Sequence, residues 1–177
     1  MHIEIEAKLK VNSLPKVARK LKSSRAEFLG ERLQNDTYLD DSRGTMRKTD
    51  SALRIRRQFV RGREQVVITL KGPMKKGRFK RRREIEFAVG DGNLAEKFLE
   101  VLGFKKAIIV KKKRQEWRLG GCLIALDELP ILGSFVEIEG PGEKKIAAVQ
   151  KKLGLADLPH IPKSYANLMI RKLRKVY

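Results

Sequence analysis

Acidic side chains recur in this chain as close pairs, Glu4/Glu6, Glu84/Glu86 and Glu137/Glu139, each pair within a copy of the tripeptide Glu-Ile-Glu. Carboxylates two residues apart on a strand share one face and repel each other unless a cation lies between them. The pairs Glu4/Glu6 and Glu137/Glu139, with Asp127 nearby in sequence, offer the oxygen ligands that Mg²⁺ or Mn²⁺ takes. Basic residues accompany them. Residues 43–83 hold 16 Lys or Arg against Asp50 and Glu64 alone, so +14 of the formal net charge of +20 lies in less than a quarter of the chain. Such a segment suits polyanions, and guanidinium groups match phosphate oxygens in bidentate geometry. Acids would hold a metal, bases would hold phosphates, and the metal would bridge them. Phosphoryl chemistry needs mainly this positioning and charge neutralisation, so no histidine or serine triad is required.

The elements that must position these groups read as strands with helices between them. Each Glu-Ile-Glu copy is followed, after a short break, by a helical pattern. The first helix follows Asn12-Ser13-Leu14-Pro15 and carries Val17 and Leu21. In the second, Asn93 is the expected cap ahead of Leu94, Phe98, Leu99 and Leu102, with Gly103 closing. The third follows Pro141-Gly142, carries Ile146, Val149 and Leu153, and ends at Gly154; a last helix is expected over Ser164–Arg174. Strand-like runs fill Ala52–Val60, Gln65–Lys71, Phe79–Val89, Ile108–Leu119, Cys122–Asp127 and Phe135–Glu139, with a turn about Arg61-Gly62-Arg63 and a loop over Pro73–Gly77.

Period two sorts the strands into two faces. Glu4, Glu6 and Lys8 oppose Ile3, Ile5, Ala7 and Leu9; Arg54 and Arg56 oppose Leu53 and Ile55; Arg82, Glu84 and Glu86 oppose Ile85 and Phe87; Glu137 and Glu139 oppose Val136 and Ile138. An ordinary half-buried sheet with its charged face in water gives the same alternation. Two details favour a different solution. The charged faces carry both signs, and helices are available to cover the apolar faces. Such a sheet can close into a barrel with a charged, wet interior.

Bulk composition narrows the class. At 177 residues, 41% hydrophobic and 35% charged, the sequence predicts one globular domain over 1–177. The start, MHIEIEAKLK, reads as a strand rather than a signal peptide, and no stretch approaches the roughly 18 apolar residues of a membrane span. One cysteine, Cys122 in the apolar run CLIAL, predicts a buried hydrophobe, and with only two histidines a zinc site is not expected. These features predict a cytoplasmic protein without membrane contact.

In order along the chain, Glu4-x-Glu6-x-Lys8, Asp36-x-Tyr38-x-Asp40, Leu53-Arg54-x-Arg56, Thr69-x-Lys71-Gly72, Arg82-x-Glu84-x-Glu86, Lys112-x-Arg114-x-x-Trp117, Asp127…Leu132-Gly133-x-Phe135-x-Glu137-x-Glu139 and Ser164-Tyr165 resemble the motifs of the CYTH superfamily, the triphosphate tunnel metalloenzymes. The resemblance implies an α+β fold: a closed antiparallel eight-stranded β-barrel with helices packed outside, binding a triphosphate lengthwise. It implies Glu4, Glu6, Asp127, Glu137 and Glu139 as ligands of Mg²⁺ or Mn²⁺, with Glu84, Glu86 and Tyr38 assisting. Lys8, Arg54, Arg56, Lys71, Arg82, Lys112 and Arg114 would grip phosphate. Glu4, Glu6, Lys8, Glu137 and Glu139 would form the catalytic set. His2-x-Glu4-x-Glu6 is similar to the class IV adenylate cyclase branch, although Ile3 stands where that branch has an aromatic residue. His2 shares the face of Glu4 and Glu6 and could reach the tunnel mouth.

That branch implies conversion of ATP to cyclic AMP and pyrophosphate. The alternative is a metal-dependent triphosphatase acting on tripolyphosphate, thiamine triphosphate or a nucleoside triphosphate. A reading of another class is a non-catalytic module binding nucleic acid or polyphosphate through residues 43–83. It explains the charge but not the paired acids, and the segment offers only Phe59 and Phe79 for base stacking. Nucleic acid is therefore the less expected partner.

Overall fold

The computed structural model describes residues 2–60, 62–75 and 77–174. Arg61 of the expected turn and Lys76 of the expected loop lie outside the described residues. Eight strands are described, β1 (His2–Lys10), β2 (Glu27–Asp41), β3 (Ala52–Val60), β4 (Arg63–Lys71), β5 (Lys80–Val89), β6 (Phe104–Leu119), β7 (Cys122–Leu129) and β8 (Gly133–Glu139). They close into an antiparallel barrel in the order β1-β5-β4-β3-β2-β6-β7-β8. Five helices lie in the connections: α1 (Leu14–Ser23), α2 (Thr45–Lys48), α3 (Gly92–Val101), α4 (Glu143–Lys152) and α5 (Tyr165–Leu173). The expected α+β barrel with external helices is the observed fold. No described helix is long and apolar enough to cross a membrane.

Local chemistry accounts for most element ends. Ser13 caps α1, accepting from the Lys16 amide, with Pro15 in the first turn where its missing N–H costs nothing. Ser164 caps α5 by accepting from the Asn167 amide. The cap of α3 is Asp91, which accepts from the amides of Asn93 and Leu94, so the helix starts earlier than its expected Asn93 cap. Gly120 and Gly121 both hold left-handed φ, +59° and +75°, in the two-residue turn that joins β6 to β7 with Leu119 opposite Cys122.

The apolar core lies outside the barrel in three clusters. α1 and α4 press Val17, Leu21, Ile146 and Val149 against Ala7, Leu9, Ile124, Val136 and Ile138. α3 seats Leu99 on Leu39, Leu53, Ile55, Val66 and Ile68. α5 brings Tyr165 and Met169 to Val110, Leu129 and Phe135. The covering is incomplete: Ile85 and Phe87 on the outer face of β5 are 45% and 53% exposed.

The 15-residue β2 is the longest departure from the expected strand set. Its inward positions Gln34 and Asp36 are buried polar groups. Its pairing with β6 shifts register between Phe28 and Gly30 and again between Tyr38 and Leu39. Both features break the apolar-polar alternation by which a strand is read. The four-residue α2 between β2 and β3 was likewise not expected; Asp41 and Asp40 accept from the amides of its first residues, Thr45 and Met46.

Because the stabilising contacts are external and unequal, truncations should differ sharply by site. Ile138→Ala, at a fully buried position between β8 and α4, should cost about 2–5 kcal/mol. Ile85→Ala on the open face should cost under about 1 kcal/mol. Equilibrium urea unfolding measures both.

Candidate active site

Alternation along each strand turns the charged residues inward, onto a cavity of about 260 Å³. Seven carboxylates line it (Glu4, Glu6, Glu84, Glu86, Glu116, Glu137 and Glu139) with eight cations (Lys8, Arg54, Arg56, Lys71, Lys80, Arg82, Lys112 and Arg114). His2, Tyr38, Ser164 and Tyr165 share the lining. The charges fall into three groups.

On β2 and β3, Arg56 donates from Nε and Nη2 to the two oxygens of Asp36, each at 2.7 Å, and Arg54 lies 3.7 Å from the same carboxylate. Arg54 Nη2 also donates to Thr69 Oγ1 at 2.9 Å, and that hydroxyl donates to Glu86 at 2.9 Å. Burial pushes the Asp36 carboxyl up, but Arg56 and Arg54 outweigh it and hold it well below its ordinary value.

Where β6, β7 and α5 meet, Arg114 grips Asp127 from Nε at 2.7 Å and Nη2 at 2.5 Å, and also donates to Glu137. Tyr165 Oη donates to Asp127 at 2.9 Å. Lys8 lies 3.1 Å from Glu137 and 4.0 Å above the centre of the Tyr165 ring. Lys112 is 3.5 Å from Asp127, yet burial and then Arg114 pull its ammonium down to about 7. Glu137 is pushed up by burial but held well below its ordinary value by Lys8 and Arg114.

On β1, β5 and β8 the acids outnumber their partners. Lys71 lies 2.6 Å from Glu4 and 2.9 Å from Glu84, and Lys80 donates to Glu6. Strand register sets Glu6 directly opposite Glu139, a like-charge pair that costs stability in a sheet. Among the described residues Glu139 has no ion-pair partner. Burial, then Glu4, push its carboxyl up to about 7, with Glu6 and Glu84 adding to the rise.

All the residues expected at the site line this cavity except Asp127, whose carboxylate is turned to Arg114, Tyr165 and Lys112. Lys80, Glu116, Asp36 and Tyr165 were absent from the expected set. Lys80 shares the face of Arg82 and Glu84, and Glu116 that of Lys112 and Arg114, so period two alone could have found those two. Asp36 and Tyr165 stood in the quoted motifs; their role as buried partners of arginines depends on contacts between distant strands and helices.

The donor set fits a hard divalent cation: Glu4, Glu6, Glu137 and Glu139 are oxygen ligands, and the unpaired Glu139 beside Glu4 and Glu6 is a local excess of negative charge. As they stand, no three described His, Cys, Asp or Glu side chains are drawn closely enough together to hold an ion. Glu4, Glu6 and Glu137 are each engaged by Lys or Arg.

The raised Glu139 pKa has a measurable sign. Between pH 4.5 and about 7 the folded chain keeps a proton that the unfolded chain has released, so this group's contribution to stability falls as pH rises through that window. Urea unfolding in EDTA should show the fall. Glu139→Gln should flatten it, and Mg²⁺ or Mn²⁺ should reduce it by favouring the ionised carboxylate.

Comparison with known proteins follows the same lines. Residues 2–165 match the CYTH domain. A Methanocaldococcus jannaschii protein, provisionally named an adenylate cyclase, is 31% identical over 150 residues, 85% of this chain and 81% of that one. The structure of a Pyrococcus horikoshii protein is similar with a TM-score of 0.84 at 30% identity, over 96% of this chain and 99% of that one. A Hippeastrum protein at 19% identity shares the fold, with a TM-score of 0.73 over 95% of each chain. With the match running through all eight strands and into α5, this chain belongs to the CYTH domain family.

Proposed function

We propose that this chain is a metal-dependent enzyme that cleaves a triphosphate held along the barrel interior. The observation that carries this reading is the unpaired carboxylate of Glu139, beside Glu4 and Glu6, in the same cavity as eight Lys and Arg. Glu4, Glu6, Glu137 and Glu139 would hold Mg²⁺ or Mn²⁺, which when bound would neutralise charge on the phosphate oxygens. Lys8, Arg54, Arg56, Lys71, Arg82, Lys112 and Arg114 would grip the phosphates, with Lys80 added by the geometry. Asp127 serves better as the group that orients Arg114 and Lys112 than as a ligand, since its oxygens face those donors and Tyr165. Asp36 does the same for Arg54 and Arg56.

Two reactions use this arrangement. In cyclisation the 3′-hydroxyl of ATP attacks the α-phosphorus and pyrophosphate leaves; His2 at the cavity and the name of the Methanocaldococcus relative support it. In hydrolysis water attacks instead and phosphate or pyrophosphate leaves. The Lys and Arg of the lining would hold the phosphates in either reaction, and among the described residues the lining holds no apolar pocket for a base that would favour cyclisation. The Hippeastrum protein, which carries an adenylyl cyclase name and is described as having a dominant triphosphatase activity, supports hydrolysis.

ATP and tripolyphosphate with Mg²⁺ or Mn²⁺, followed by chromatography of the products, test both. The expected outcome with ATP is cyclic AMP and pyrophosphate. Phosphate from tripolyphosphate with no cyclic nucleotide assigns the chain to the triphosphatases, and turnover of neither substrate overturns the enzyme reading.

Two sets of variants test the residue roles. Glu137→Gln and Glu139→Gln should each lower turnover at limiting metal by at least about 100-fold with the fold intact by circular dichroism. Arg54→Ala should cost about 2–4 kcal/mol in transition-state binding. Arg63→Ala, at an exposed position on β4, should leave kcat/KM within about twofold. Equal losses at Arg54 and Arg63 would instead indicate a diffuse basic surface.

A further inference from the structure

The long strand β6 is two-faced. Lys112, Arg114 and Glu116 line the interior cavity, while Lys113, Gln115 and Trp117 between them line a second concavity on the outside of the barrel. This groove, about 860 Å³, runs between α1 and the outer wall of β2, β6 and β7. That volume lies within the range of about 300–1,000 Å³ usual for small-molecule sites. Its apolar walls are Leu14, Pro15 and Ala18 from α1, facing Phe28, Trp117 and Leu126 from the sheet.

We propose that this outer groove binds a flat aromatic anion, of the class of a nucleoside monophosphate. Two independent features carry the assignment. The first is a stacking surface. Phe28 and Trp117 pack with ring centroids 4.7 Å apart at 55°, and Phe28 remains 51% exposed in the groove. The second is charge. Arg19 and Lys22 line the α1 side, and neither has an ion-pair partner among the described residues. Lys113 is held by Glu31 at 3.0 Å, and Glu128 is the one acid in the lining, so the net charge is cationic and its cations are concentrated on α1. A ring against Phe28 and a phosphate against Arg19 and Lys22 use both features together.

The test exploits the fact that Trp117 is the single tryptophan of the chain, so its emission reports this groove alone. AMP is titrated in EDTA, with excess tripolyphosphate present to fill the interior cavity. A saturable change in emission is expected, weakened at least about tenfold in the double variant Arg19→Glu/Lys22→Glu. The kcat of that variant for triphosphate cleavage at saturating substrate should be unchanged, because neither residue lines the interior. Ribose 5-phosphate, which has the anion but no ring, should give no saturable change at the same concentrations. The proposal is overturned by a flat AMP titration, by an undiminished response in the double variant, by loss of the response when tripolyphosphate is added, or by ribose 5-phosphate acting as well as AMP.

Discussion

Everything in this structure depends on keeping seven carboxylates and eight cations together inside a closed barrel. Removing charges from water is expensive, and their mutual attraction offsets that cost only when geometry and hydrogen bonding are good. Bidentate pairs such as Arg56–Asp36 and Arg114–Asp127 meet that condition; Glu6 opposite Glu139 does not. A barrel filled in this way contributes little hydrophobic stability from within. The apolar surface must be buried elsewhere, and the helices supply the place. The three external clusters are therefore the counterpart of the charged interior, and the same strand alternation produces both.

The pairing pattern also bears on how ligands would enter. Lys71, Lys80 and Arg114 now engage Glu4, Glu6 and Glu137. A phosphate chain competes for those same cations. Each carboxylate so released becomes an oxygen donor for a divalent ion, and a bound ion in turn releases the cation for phosphate. Under the proposed function, metal and triphosphate therefore favour one another's binding, and the coupling is equal in both directions by linkage. Asp36 and Asp127 stand outside this exchange. Asp36 sits behind Arg54 and Arg56, and Asp127 behind Arg114 and Lys112, so each would orient its cations whichever partner they face.

The inward faces were legible in the sequence because apolar and charged residues alternate cleanly over Ile3–Leu9 of β1, Leu53–Arg56 of β3, Glu84–Phe87 of β5 and Val136–Glu139 of β8. Glu4, Glu6, Arg54, Arg56, Arg82, Glu84, Glu137 and Glu139 could all be placed from local spacing. What stayed hidden has two physical causes. β2 carries buried Gln34 and Asp36 and two register shifts, so its pattern has no clean period. The other cause is distance along the chain: Tyr165 reaches Asp127 across 38 residues, and Arg56 reaches Asp36 across 20. Local periodicity carries no information about such contacts. The family resemblance placed Trp117 in a motif with Lys112 and Arg114 without showing that odd and even positions of β6 look into different spaces.

Charge density was the least faithful guide to the site. Of the 14 described basic residues in 43–83, only Arg54, Arg56, Lys71, Lys80 and Arg82 line the interior, so nine do not. The interior lining itself carries eight cations against seven acids, a formal +1, which leaves +19 of the +20 on the rest of the chain. The two populations act differently. Interior groups are largely buried in fixed ion pairs, so under the proposed function they would set affinity and resist screening. Exterior charge acts over about one Debye length, roughly 8 Å at physiological ionic strength, and raises the local concentration of any polyanion near the barrel. Salt should therefore slow capture of a triphosphate by screening the exterior while leaving the interior contacts largely intact. A basic surface around a nearly neutral interior gives attraction at long range without the mutual repulsion that eight unopposed buried cations would create.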